Sequence, residues 1–321
     1  VPQWVLDEAA GRPSEPVPFR AWQYDAVDTP AATAARRRGR WKAGVAVAVA
    51  GAMVAGVAYW ASQPPGREDI VAFPGDVPTS AAPTDDGSAK PAASTDFPTE
   101  GVGEKARPAG LPLGDLRVAS AKGYRFAGLQ KDKKTGITWS PCRPIAWVVR
   151  SAAKAPPDGE RMLKESFARL SELTGLEFVY EGRTAEKFSE RRKPYQPAKY
   201  GDRFAPVLVS WSSTKEDPDL TGDVLGRAGP YWVDTRSGDR FYASGTVSLD
   251  RVELGKVREQ AGYEVARAVV MHELGHLAGL AHVTSDASLM FPRVSRDVTD
   301  YSGPDRRGLT VLGQGPCQPD G

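Results

Sequence analysis

The residues best equipped for chemistry lie in one short stretch, Met271-His272-Glu273-Leu274-Gly275-His276-Leu277-Ala278-Gly279-Leu280-Ala281-His282, which holds all three histidines of the chain. Their spacing is H-E-x-x-H-x-x-G-x-x-H. On a helix His272 and His276 are i,i+4 neighbours, so both imidazoles leave one face and can share a single ion. Gly279 ends that helix, because glycine adopts a left-handed conformation without a Cβ clash. The chain then turns, and His282 swings back as a third ligand. Three neutral imidazoles suit zinc, and three protein ligands leave a fourth position for water. Glu273 follows the first ligand and reaches that water without binding the ion, the place of a general base. The implied chemistry is hydrolysis assisted by one catalytic zinc ion.

Two blander readings compete. One is an Ala/Leu-rich core helix whose histidines are merely hydrogen-bonded; the other is a folded, metal-holding protein without turnover. The first is disfavoured because the cluster also sets a Glu and a Gly at defined offsets.

The elements that must position this stretch occupy only part of the chain. Its 321 residues allow one or two domains, and a net charge of +2, with acidic and basic residues intermixed in the C-terminal half, gives no sign of nucleic-acid binding. Residues 1–42 read as a disordered cytoplasmic tail, with no sustained period and a basic cluster (Arg36, Arg37, Arg38, Arg40, Lys42) at its end. Residues 43–61 are uncharged and dominated by Ala, Val and Gly. At about 1.5 Å per residue they span roughly 28 Å, close to a bilayer core. Trp41, Tyr59 and Trp60 stand at the two ends, and the arginines predict a cytoplasmic N-terminus with the remainder outside the cell. A single-pass membrane anchor is therefore expected; a signal peptide cleaved near Ala58, giving a secreted protein, is the alternative. Residues 62–115, rich in Pro, Ala, Thr, Ser, Asp and Gly, read as a disordered stalk.

Residues 116–321 read as one α+β domain with a mixed sheet. Ile145-Ala-Trp-Val-Val-Arg150 is a strand. Asp158 caps a helix carrying Leu163, Phe167 and Leu170, and Gly175 ends it. Residues 176–180 and 207–211 are further strands, and residues 231–250 form a hairpin through Ser237-Gly238-Asp239. A helix starts near Tyr263, and a last one follows Ser302-Gly303-Pro304-Asp305, carries Leu309 and Leu312, and ends at Gly313.

At these residues the chain resembles the metzincin clan of zinc endopeptidases, and its matrixin-like branch, of a bacterial, membrane-anchored type. The resemblance rests on the histidine stretch, on Ser288-Leu289-Met290-Phe291-Pro292 as a Met-turn, and on Pro304-Asp305-Arg-Arg-Gly308-Leu309-Thr-Val-Leu312-Gly313 as the closing helix. It spans roughly residues 120–317. It implies a metzincin-like fold, peptide-bond hydrolysis of a protein or peptide substrate, and Met290 as an apolar floor beneath the metal histidines. By analogy, substrate is expected as an added strand near residues 240–245. Pro292 stands where some members place a tyrosine near the zinc, so no tyrosine ligand is expected.

The departures matter as much. No histidine is left for the second, structural zinc common in matrixins. Calcium through carboxylates stays open, but no Asp/Glu cluster shows ligand spacing. A propeptide cysteine switch is missing, since Cys142 abuts the first strand. Cys142 and Cys317 are the two cysteines, near the two ends of the domain. They most simply form a bridge, worth on the order of 4–5 kcal/mol in the loop-entropy model; a zinc thiolate from Cys142 or free thiols are the alternatives. Two other functions compete with proteolysis: a zinc-containing binding or sensor module on the surface, and a signalling protein acting through its cytoplasmic tail.

Overall fold

The computed structural model describes residues 17–18, 97–108, 114–117, 123–151, 154–189, 192–222, 224–235 and 238–318. The expected membrane span 43–61 and residues 62–96 of the stalk lie outside them. Among the described residues no helix is long and apolar enough to cross a membrane.

The core is a six-stranded sheet with helices on one face. Its strands are β1 (Thr138–Trp139), β2 (Ile145–Arg150), β3 (Phe178–Thr184), β4 (Val207–Ser212), β5 (Gly226–Asp234) and β6 (Arg240–Asp250). The order is β1-β6-β4-β2-β3, with β5 on β6. All pairings are parallel except β5 with β6, which run antiparallel as a hairpin. The central strands are covered on both faces: every residue of β4 is buried, Ser210 and Ser212 included.

Helix α1 (Gly159–Thr174) buries Met162, Leu163, Phe167 and Leu170, and Phe167 stacks on Trp147 of β2 with ring centroids 4.2 Å apart. Gly175 ends it at φ 72°, as expected. Asp158 holds the N-cap position without a side-chain cap bond; its carboxylate receives Arg258 Nε at 2.8 Å. Helix α2 (Arg251–Ala261) was not anticipated. Asp250 caps it by accepting from the Val252 and Glu253 amides at 2.8 and 3.0 Å, but only Leu254 and Val257 are buried, too few for a visible period.

Helix α3 (Tyr263–Ala278) starts where the sequence placed it. Every residue from Val265 to Ala278 except Arg267 is buried, because sheet and helices enclose it on all sides. Helix α4 (Gly303–Gly313) begins with a capping box between Ser302 and Asp305. Gly313 is its last residue and Gln314 caps it, one position beyond the expected stop.

Three further boundaries move. The first hairpin arm begins at Gly226, not Tyr231, and β3 runs from Phe178, not residue 176. The stalk boundary at 115/116 falls within a segment attached to the domain. Thr99 N donates to Asp202 Oδ1 at 2.9 Å, Lys105 N to the Cys142 carbonyl at 2.6 Å, and Arg107 Nη1 to the Gly315 carbonyl at 2.8 Å. Phe97 packs edge-on to Phe204 and Pro98 is buried, so residues 97–108 are fastened to the domain at these points although most of their side chains stay exposed. Cys142 and Cys317 are bonded, with Cα atoms 5.4 Å apart.

Candidate metal centre

Helix α3 delivers His272 and His276 from one face, both fully buried. Gly279, at φ 116°, closes the helix with its amide on the Gly275 and His276 carbonyls. The turn brings back His282, which stays half-buried. The three Nε2 atoms converge: His272 to His276 is 3.0 Å, His276 to His282 3.1 Å, and His272 to His282 3.2 Å.

Hydrogen bonds on the far side of two rings decide what faces inward. His272 Nδ1 is 2.5 Å from the Leu289 carbonyl and His276 Nδ1 is 2.8 Å from the Leu280 carbonyl. A carbonyl only accepts, so each Nδ1 carries the proton and each Nε2 turns a lone pair inward. Burial, then the neighbouring histidines, holds the pKa of both rings well below the ordinary 6.5. Converging lone pairs on neutral rings repel unless a cation lies between them. Zinc–nitrogen bonds of about 2.0–2.1 Å in a tetrahedron place ligand nitrogens about 3.3 Å apart, close to the triangle seen. The donor set fits zinc. Among the described residues one other group of three potential ligand atoms exists, Glu104 with Cys142 and Cys317, and its sulfurs are already bonded to each other.

Glu273 is fully buried beside the first residue of β5: a Cβ on Gly226 would lie 2.8 Å from Glu273 Cγ. The base candidate thus lies between the metal helix and the start of that strand. Met290, 1% exposed, packs against the histidine helix, with Sδ 2.5 Å from where a Cβ on Gly275 would stand. Gly275, directly before His276, is what lets the methionine approach the helix.

Several supporting residues escaped the sequence reading. Asp305, fully buried at the start of α4, accepts from Ser288 Oγ at 2.6 Å, Leu289 N at 3.0 Å and Ser302 N at 2.9 Å. It holds the turn whose Leu289 carbonyl orients His272. Tyr301 donates from its hydroxyl to the Met271 carbonyl at 2.5 Å, and Trp139 Nε1 donates to the Leu277 carbonyl at 3.0 Å. Only Asp305 carried a local signal, the Ser302-x-x-Asp305 capping pattern, and that pattern says nothing about the metal.

The expectation that substrate lies along residues 240–245 is corrected. Strand β6 is interior: β5 flanks it along its length, while β1 and β4 take its other side. Arg192 Nη1 also donates to Ser244 Oγ at 2.8 Å. Among the described residues, β5 pairs on one side only, so the sheet edge beside the metal centre is the first hairpin arm.

The family model described as matrixin matches residues 211–312, from the end of β4 through the hairpin, the histidines and the Met-turn into α4. No curated protein sequence matches the chain. This part of the chain is therefore similar to the matrixin family of peptidases.

Proposed function

We propose that the matrixin-like domain is a zinc-dependent endopeptidase, with His272, His276 and His282 as the metal ligands and Glu273 as general base. One observation carries this reading: three inward-facing Nε2 atoms lie within 3.2 Å of each other, two of them on fully buried rings fixed by backbone carbonyls. Zinc held there supplies Lewis acidity, making water a better nucleophile and polarising the scissile carbonyl. Glu273 accepts a proton as the water oxygen bonds to the carbonyl carbon. It returns that proton to the amide nitrogen as the carbon–nitrogen bond breaks. Substrate lies extended beside Gly226–Asp234, which among the described residues pairs with a neighbouring strand on one side only and so suits an added strand on the other.

The proposed location is the outer face of a membrane, anchored through residues 43–61. The Cys142–Cys317 bridge supports an oxidising compartment.

The test is metal content measured beside cleavage of a denatured, casein-like protein, with and without a zinc chelator. One zinc per chain and chelator-sensitive cleavage are expected. Glu273→Ala should keep the zinc and lose turnover by at least about 100-fold. Cleavage retained in that variant would remove Glu273 from the mechanism, and an absence of zinc would remove the mechanism itself.

A further inference from the structure

Immediately before β5 the chain makes a compact turn through residues 213–222, and this turn carries a buried charge that the chemistry above does not use. Asp217 is fully buried, and its Oδ2 has no hydrogen-bond partner among the described residues. Its Oδ1 receives Arg227 Nη1 at 2.7 Å, and the same nitrogen lies 2.7 Å from Asp219 Oδ2. The Asp217 and Arg227 side chains are 0% and 7% exposed, while Asp219 is half in solvent at 52%. Two carboxylates therefore converge on one guanidinium nitrogen, as they would on a bound ion.

Arg227 is the second residue of β5. The residue before it is Gly226, which packs against Glu273, and the carbonyl of Leu225 receives the Asp250 amide at 2.9 Å. The turn is held from its other side as well: Glu216 takes Arg150 at 2.9 Å and Arg251 at 2.6 Å. The start of the edge strand is thus clamped by charge just where it meets the proposed base.

We propose that Arg227 is a positioning residue serving as the resident cation of this turn, bridging Asp217 and Asp219 so that Gly226 and the substrate-pairing edge stay in place beside Glu273. The proposal rests on the endopeptidase reading for its effect on turnover, but not for the clamp. An isolated carboxylate enclosed like Asp217 is costly, so loss of the guanidinium leaves two acids without a countercharge and a place for an added divalent cation.

The experiment uses the full chain, zinc-loaded, as wild type, Arg227→Ala, Arg227→Lys, Asp219→Asn and the double variant Asp219→Asn/Arg227→Ala. Melting and peptide cleavage are followed with zinc content held at one per chain, with and without millimolar calcium as the probe. Wild type should ignore calcium. Arg227→Ala should melt several degrees lower and lose at least about tenfold in kcat/KM, mainly through KM, with calcium restoring both. Lysine should recover part of the loss without calcium. The double variant, lacking one of the two acids, should not respond to calcium. Asp219→Asn, the milder change, should raise KM a few-fold at unchanged zinc content. An Arg227→Ala protein within twofold of wild type in kcat and KM and indifferent to calcium overturns the proposal. So does an equal calcium response in the double variant, which would place the ion elsewhere. If Arg227→Ala fails to fold even in calcium, an Asp219→Asn variant with wild-type KM and melting overturns it instead. If zinc-loaded wild type cleaves nothing, the endopeptidase reading fails, while the calcium-dependent melting of Arg227→Ala still decides the clamp.

Discussion

As a proposed metal ligand, His272 needs its ring held from behind, and the hold runs through a residue 33 positions away. Asp305 grips Ser288 Oγ and Leu289 N, and the same Leu289 offers its carbonyl to His272 Nδ1. Asp305→Ala leaves three donors without their acceptor and frees the turn carrying Met290. Zinc affinity should fall about 10–100-fold, as for other partners of metal ligands, and a chelator competition titration measures it. Unchanged affinity would mean that packing alone holds the turn. Gly275→Ala probes the same region from the helix side. A Cβ there collides with Met290 Sδ and Cε, so the floor must move. Lower zinc affinity with an intact α3 is the expected result, read by the same titration together with circular dichroism.

The connection between β3 and β4 has its own fastening. Glu186 and Arg192 are joined at 2.9 Å with side chains 6% and 1% exposed, and Tyr200, Gln196, Ser244 and the Pro206 carbonyl complete the cluster. Removing one partner of such a buried pair costs about 3–5 kcal/mol, so Arg192→Ala should lower the urea midpoint markedly. Burial pushes the Glu186 pKa up, but Arg192, Tyr200 and Gln196 outweigh it, and the net value lies below the ordinary 4.5. A folded-state pKa below the unfolded one means that this pairing stabilises the fold above pH ~4.5 and is lost as pH falls through the folded value. The stability gap between wild type and Glu186→Gln should therefore be widest near neutrality and shrink in acid, as urea melts at pH 7 and pH 4 would show. A constant gap would mean that the carboxylate's charge is not what fastens the loop. Other elements show why some segments were visible from sequence and others were not. Strand β2 is apolar up to Arg150, β4 carries Val207, Leu208, Val209 and Trp211, and α1 has three apolar residues at helical spacing. The start of β5, Gly226-Arg-Ala-Gly-Pro230, looks like a loop, and only its pairing with β6 makes it a strand.

The bridge between Cys142 and Cys317 joins the turn before β2 to the tail after α4, closing 175 residues of separation. Removing it with paired serines should lower stability by up to about 5 kcal/mol, measured by urea unfolding under oxidising conditions. No change there would mean that the contacts of residues 97–108 already hold these ends. The topology has an equally direct test. Val17–Pro18 pairs with Arg293–Val294, whereas a single span at residues 43–61 places residues 1–42 across the bilayer from the domain. A protease added outside intact cells should digest the domain and spare the tail. A disulfide formed in those cells between Val17→Cys and Val294→Cys would show both on one side and overturn the span.

The sequence by itself determined the histidine cluster, because the three histidines, Glu273 and the glycine that turns the chain lie within eleven residues, where helical geometry largely sets their relation. It also determined the cysteine pair, there being only two candidates. What surrounds the centre was decided by tertiary structure. Asp305 reaches Leu289, Arg227 reaches Asp217, and β5 becomes the sheet edge only after the sheet has formed. Such contacts depend on which faces are buried together and which charges are left without water, and no local period records that. The residues proposed for the chemistry were therefore legible along the chain, while the means of holding them in position was legible only in the fold.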